Sequence, residues 1–211
     1  MDIIVSVCRV LANRQRLSLL RTIYAQPDAT VQVLATAIAL PIESASKHLK
    51  LLANFRLVEA RPQGRYVHYN PGHPRPGGHP FLRDLLAGLP TLLKSHCTLA
   101  QVCNSGAPAA EADEALLKTF TTYTHLRRLL LLRYLLNHGS AAAVELAAEI
   151  HMSPTAVHRH MRKLQRRAVV AITAGTPLRW VLIRPERTDS RRQLLDIILR
   201  SLAAATHRKG K

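Results

Sequence analysis

The chain has 211 residues, of which 47% are apolar and only 4% aromatic, and its formal net charge is +17. The apolar content excludes a disordered basic tail and suffices for two domains of about 100 residues, while the scarcity of aromatic residues favours packed helices. No apolar run approaches the ~20 residues of a membrane span, and the start, Met1-Asp2-Ile3-Ile4, lacks a signal peptide's basic region. We therefore expect a cytoplasmic protein that attracts a polyanion, with nucleic acid as first candidate and an anionic membrane surface as second.

Hydrophobic periodicity and turn residues predict the elements of the first half in chain order. Helices are expected over 3–11, 14–24, 30–38 and 42–54, with Thr30 as an N-cap and Pro41 opening the fourth helix. A two-stranded hairpin follows over 57–71, with its turn at 62–65. The last helix covers 81–94, and Pro90 marks a candidate kink in it.

The second half predicts the same order of elements. Its helices fall over 114–122, 125–137, 142–150 and 154–167, followed by a hairpin over 169–183 and a closing helix over 190–205. The segment 105–113 is rich in alanine and has the most linker-like composition. We therefore expect a first domain over 1–104, a linker over 105–113, and a second domain over 114–211 that ends in a basic tail.

The two halves also match residue by residue at one shared offset. Arg16 and Arg128 define an offset of 112 residues, which also aligns Leu34 with Leu146 and His48 with His160. Because polar and apolar positions match together without a gap, the pattern indicates an internal duplication. Aligning Pro71 with Pro185 predicts a second hairpin whose tip is two residues longer.

The repeated order of helix, helix, short helix, helix, hairpin and helix is that of a winged helix-turn-helix domain. The fold class is therefore mainly α with small β-hairpin wings, in two tandem domains. The fourth helix of each half is the recognition helix, which enters the major groove of double-stranded DNA. Double-stranded DNA is thus the expected partner.

The first recognition helix has a buried and a DNA-facing side. Ala45, Leu49 and Leu52 form the buried stripe. The outward residues are Glu43, Ser44, Ser46, Lys47 and Lys50. Lysine can donate to guanine, and serine can bond to several bases. Glu43 could accept from cytosine, or it could simply complement the dipole of the first helical turn.

The second recognition helix has the same division. Val157, Met161 and Leu164 form the buried stripe. The outward residues are Thr155, His158, Arg159, Arg162 and Lys163. Arg159 is the best candidate for a bidentate guanine contact, although all these cations could instead contact phosphate alone. His48 and His160 share one position and are interpreted as packing residues that bond to a neighbouring helix.

The wings offer four further candidates for contacts with DNA. These are Arg61, Gln63 and Arg65 in the first half and Arg179 in the second. Wing tips commonly lie along phosphate or in the minor groove, so Arg65 is expected to position the protein on the duplex.

Several motifs resemble those of the ArsR family of bacterial repressors. The segments 11–17, 44–52 with Leu57-Val58, and the wing over 61–69 are similar to the family's second helix, recognition helix and wing, while 155–164 matches more loosely. The resemblance implies a transcriptional repressor. It also implies pairing through the first and last helices, so that both halves of one chain form a covalent pseudo-dimer. A homodimer of chains, with four winged domains, stays open.

The residues that sense metals in that family have no equivalent here. The position of its Cys-Val-Cys arrangement holds Val31-Gln32-Val33, and Leu86 and Ile198 stand where a histidine would follow Asp84 and Asp196. No metal site and no cofactor are therefore expected, and a small-molecule or redox signal is left open.

The remaining cysteines and histidines leave three alternatives. His96, Cys97 and Cys103 could bind a soft metal, form a redox pair or be free thiols, whereas Cys8 lies on an apolar face and is expected in the core. No phosphate-binding loop, nucleophile elbow or catalytic carboxylate pair is present, so no enzyme is expected. Two rival functions remain: a sequence-neutral architectural or RNA-binding protein, and a protein-interaction adaptor.

Overall fold

The computed structural model describes residues 1–94, 106–173, 176–183 and 190–207. The elements of the first half are α1 (Asp2–Leu11), α2 (Arg14–Ala25), β1 (Ala29–Thr30), α3 (Val31–Ala37), α4 (Ile42–Asn54), β2 (Val58–Gln63), β3 (Tyr66–Pro71) and α5 (Pro80–Lys94). All predicted helices and the hairpin of this half are confirmed to within one or two residues.

The second half has the same order of elements. They are α6 (Gly106–Thr122), α7 (Leu126–His138), β4 (Ser140–Ala142), α8 (Ala143–Ile150), α9 (Pro154–Gln165), β5 (Val170–Thr173), β6 (Arg179–Leu182) and α10 (Ser190–His207). None of the helices in the described part of the chain combines the length and hydrophobicity that crossing a bilayer requires.

Each half contains a short strand that the periodicity did not predict. β1 pairs with β3 and β4 pairs with β6, both antiparallel, which gives two three-stranded sheets in the orders β1-β3-β2 and β4-β6-β5. Because these strands are only two and three residues long, they carry no alternating pattern. They attach the wing to the start of the helix-turn-helix unit.

A matched arginine, half-buried in the first half and buried in the second, joins the first two helices of each half. The Arg16 guanidinium donates to the carbonyls of Val10 and Arg9 at the end of α1. The Arg128 guanidinium donates to the carbonyl of Thr121, 3.1 Å away, at the end of α6. Both arginines thereby satisfy carbonyls that the end of a helix leaves unpaired, and they oppose its negative dipole.

The turns around the recognition helices repeat a rare backbone conformation. Ala39 and His151, in the turns before α4 and α9, have φ values of 50° and 51°. Arg56 and Ala168, just beyond those helices, have φ values of 58° and 54°. Since left-handed backbone is unfavourable for residues other than glycine, its recurrence at matched positions reflects a constraint on the direction of each recognition helix.

Two sequence predictions need correction. α6 begins at Gly106 rather than at 114, because the alanine-rich segment placed in the linker has high helix propensity and Pro108 is tolerated in a first turn. The two predicted helix starts are confirmed: Pro41 is the N-cap of α4, which begins at Ile42, and Thr30 is the N-cap of α3, although its side chain makes no capping hydrogen bond.

The second correction concerns the length of the second hairpin. Val58 pairs with Pro71, and the matched Val170 pairs with Leu182. The counterpart of Pro71 is therefore Leu182, and the second hairpin is one residue shorter than the first rather than two longer. Pro185 lies outside the described residues, as does Gly175 at the predicted tip.

The two halves share one hydrophobic core. α1 packs against α6, α5 packs against α10, and one continuous cluster of buried apolar residues runs through both halves. Arg9 Nε donates to the Thr124 carbonyl at 3.0 Å, and Arg14 forms an ion pair of 3.2 Å with Glu114. Each of these helix pairs joins an element to its counterpart in the other half.

Gly88 lets α5 and α10 approach closely. A Cβ atom at this position would lie 3.1 Å from both Gln193 Nε2 and Ile197 Cδ1, and the Gln193 side chain donates to the Gly88 carbonyl at 3.4 Å. A larger side chain would therefore force the two helices apart.

We predict that Gly88→Leu lowers the melting temperature. Overpacking the helix crossing costs about 1–3 kcal/mol, which outweighs the ~0.8 kcal/mol gained in helix propensity. The matched control is Ala87→Leu, at an exposed position of the same helix, which should change stability little. Thermal unfolding followed by circular dichroism makes the comparison, and equal melting temperatures for the two variants would contradict the close crossing.

Candidate nucleic-acid interface

The first recognition helix, α4, presents the predicted residues on its outer side. Ala45, Leu49 and Leu52 are completely buried, as the periodicity predicted. Lys47 and Lys50 are exposed, whereas Ser44 and Ser46 are half-buried. The lysine side chains can therefore reach a ligand freely, and the serine hydroxyls lie closer to the body of the domain.

The second recognition helix, α9, carries a denser group of cations. Its N-terminus is formed by Ser153, whose hydroxyl accepts from the Ala156 amide at 3.3 Å, and by Pro154 in the first turn. Val157, Met161 and Leu164 are completely buried. A shallow open groove along the helix is lined by Thr155, His158, Arg159, Arg162, Lys163, Arg166 and Arg167. All five residues predicted for this helix thus lie together.

Arg166 and Arg167 were not predicted as part of this surface. The outward stripe of the helix, by which the other residues were predicted, ends at Lys163. Arg166 follows the last residue of α9, and both arginines still line the groove of that helix. The sequence did contain a signal for them, because this second pair of cations follows Arg162 and Lys163 after only two residues.

The cations of α9 are not balanced by acidic side chains. Within the described residues, none of the five arginine and lysine side chains that line the groove has an acidic group within ion-pair distance. Such a surface repels itself in the free protein, and an anionic ligand would relieve the repulsion.

His48 and His160 occupy matched positions on the recognition helices and face the second helix of their own half, α2 or α7. His48 Nε2 lies 2.8 Å from Gln15 Oε1 on α2, which confirms the predicted hydrogen bond to a neighbouring helix. The His160 ring lies 4.8 Å from the ring of His125, the N-cap of α7. Both histidines are therefore packing residues that fix the recognition helix against the domain.

The electrostatic surroundings of His160 favour its neutral form. Partial burial lowers the pKa of the imidazole to about 4, and the charges of His125, Arg128 and Arg127 act in the same direction. Burial likewise lowers the pKa of His125, with further contributions from arginine charges. Both rings therefore stay neutral near pH 7 within a strongly positive surface.

The first wing places its predicted residues at or near the tip. Gly64 and Arg65 form the two-residue turn, and Gly64 has a φ of 60°, which glycine adopts without strain. Arg61 and Gln63 alternate along β2 and are exposed, so they share one face of the strand. Arg61 also contacts Glu59 at 3.1 Å, an exposed pair of small energetic value.

Arg179 does not lie at the tip of the second wing. It pairs with Ala142 in the sheet, and its guanidinium forms two hydrogen bonds of 2.9 and 3.0 Å with Glu145. It also donates to the Ser140 hydroxyl at 3.0 Å. Its first-half counterpart in the sheet, His68, bonds to the Asp28 carbonyl, so this position attaches the wing to the domain. Arg179 was predicted to contact DNA, but its bonds to Glu145 and Ser140 give it a structural role at the base of the wing.

A comparison with protein families agrees with this geometry. Residues 125–167 match the winged helix-turn-helix DNA-binding family. The match runs from the N-cap of α7 through α9, and the second half therefore contains a winged helix-turn-helix DNA-binding domain. A comparison with curated proteins gives no match to this chain.

The described residues contain no group of three or more His, Cys, Asp or Glu side chains that could hold a metal ion. Cys8 is completely buried as predicted, and burial raises the pKa of its thiol. His96, Cys97 and Cys103 lie outside the described residues.

We predict that acidification destabilises the protein partly through His160. Because its pKa in the folded chain lies below the ordinary 6.5, the unfolded chain binds a proton between pH 6.5 and about 4 that the folded chain does not. The free energy of unfolding therefore falls as the pH drops through this window. In His160→Gln, the fall in melting temperature between pH 7 and pH 5 should be smaller than in the wild type.

The matched control is His158→Gln on the exposed side of the same helix, which should keep the fall of the wild type. If His160→Gln and the wild type lost the same stability on acidification, the described surroundings of His160 would be wrong.

Proposed function

We propose that the protein is a DNA-binding transcriptional regulator, of the repressor type that its resemblance to the ArsR family implies. The observation that carries the proposal is the α9 surface, a groove along the recognition helix that five arginine and lysine side chains line, inside a winged helix-turn-helix DNA-binding domain. A regulator of this kind works where the bacterial chromosome lies, in the cytoplasm, and it needs no catalytic activity or cofactor.

We further propose that the two halves form a pseudo-dimer within one chain. Symmetric dimers place each element at the axis against its own copy. The packing of α1 on α6 and of α5 on α10 supports this arrangement, since each pair consists of matched elements. The repeated arginine contacts at the ends of α1 and α6 and the repeated left-handed turns support an origin by duplication.

The two recognition helices would then read two unlike half-sites. Lys47 and Arg159 occupy matched positions, as do Ser46 and His158. Arginine favours a bidentate bond to guanine, whereas lysine donates as a point charge. The preferred site is therefore asymmetric, with half-sites whose centres lie about 10 base pairs apart.

A second candidate function is sequence-neutral binding of nucleic acid. The net charge of +17 supports it, because phosphate contacts alone can supply tight binding. This alternative predicts strong dependence on salt without preference among sequences. The unlike polar residues at the matched positions of α4 and α9 favour the regulator instead.

Selection of bound sequences from random duplex DNA, at about 150 mM salt, separates the two candidates. The regulator predicts an enriched motif with two unlike half-sites. Arg159→Ala should remove the preference at one half-site and Lys47→Ala at the other, each costing about 1–3 kcal/mol against the preferred base. Arg83→Ala, which removes an exposed positive charge from α5, is the control and should leave the motif intact.

A palindromic motif would contradict the pseudo-dimer and indicate a dimer of chains. Tight binding without any enriched motif would contradict sequence-specific regulation and support the sequence-neutral alternative.

A further inference from the structure

The positive charge of the two halves lies on different elements. In the first half, the outer side of α4 carries Lys47 and Lys50, and the wing adds Arg61 and Arg65. Arg65 occupies the turn itself, and the described part of the chain provides no acidic partner for it. Charge is thus shared between the helix and the wing.

The second half concentrates its charge on the recognition helix. The α9 groove is lined by Arg159, Arg162, Lys163, Arg166 and Arg167. Lys47 and Lys50 match Arg159 and Arg162, whereas the positions that match the last three are Leu51, Asn54 and Phe55, none of which is charged. The α9 surface therefore carries more than twice the number of basic side chains found on α4.

The second wing lacks charge where the first wing has it. From Ile172 to Leu178 the sequence holds no ionisable side chain. Leu178 is 61% exposed and Ile172 40% exposed, so the flanks of the tip are apolar. The nearest cation, Arg179, is held by Glu145 and Ser140 at the base of the wing.

We propose that the two halves hold DNA through different elements: the first half through its wing together with α4, and the second half through α9 alone. The inference rests on the proposed function and deepens it. The first wing contributes phosphate or minor-groove contacts from Arg61 and Arg65. The second wing makes no ionic contact with phosphate, because its described flanks and its whole tip sequence offer no cation.

The division has a physical consequence for the complex. Each phosphate neutralised by a lysine or arginine releases counterions, and this release sets the salt dependence of binding. The first wing therefore adds to the salt dependence, whereas the second wing does not. It follows that the chain has a preferred orientation on an asymmetric site, with the wing contact on one side only.

The test measures the slope of log K against log salt concentration for the full chain on mixed-sequence duplex DNA, so that no target sequence is needed. Two loss-of-charge variants form a matched pair. Arg61→Ala/Arg65→Ala removes both cations of the first wing, and Arg162→Ala/Lys163→Ala removes two of the cations that line the α9 groove. Circular dichroism checks that both variants fold.

We expect each double variant to flatten the slope by about 1.8, since each phosphate contact contributes about 0.9. Arg83→Ala, which removes an exposed positive charge from α5, is the control and should leave the slope unchanged. An unchanged slope in either double variant would overturn the inference while leaving DNA binding intact. Failure of the wild type to bind duplex DNA would overturn both this inference and the proposed function.

Discussion

The apolar faces of α1, α5, α6 and α10 cover one another, and the placement of both recognition helices depends on this contact. Six of the ten residues of α1 are buried, among them Val7, Cys8 and Leu11 at complete burial. A helix that is apolar on most sides needs a second partner beyond its own domain. α6 provides it. Each of these side chains contributes roughly 1.5–3 kcal/mol when removed from water, so separating the halves would expose a large part of the core.

A short series of contacts connects this shared core to the outer sides of α4 and α9, the surface proposed to bind DNA. The end of α1 is joined to α2 by Arg16, and α2 holds α4 through the hydrogen bond between Gln15 and His48. The second half repeats the series with Arg128 and with the paired rings of His125 and His160. Because every step is a short-range contact, the packing between the halves fixes where α4 and α9 stand. The arginines and histidines that the offset aligned thus have equivalent structural tasks.

Sequence patterns predicted the helices, the hairpins and the buried stripes because each has a characteristic period or turn. The residues of α4 and α9 followed from the same reasoning, since burial of Leu49 or Met161 determines which neighbours face outward. β1 and β4 were missed because two- and three-residue strands have no period, and the start of α6 was missed because an alanine-rich segment suits both a linker and a helix. Arg179 was assigned to the interface since its charge was visible in the sequence but its partners, Glu145 and Ser140, lie 34 and 39 residues away.

We propose that one chain supplies both of the helices that read DNA. Multi-angle light scattering of the full chain, free and bound to a duplex long enough for a single site, tests it most directly. We expect a free monomer of 23.4 kDa and a complex with one chain per duplex. A stable dimer of chains in solution, or two chains on the single site, would contradict it.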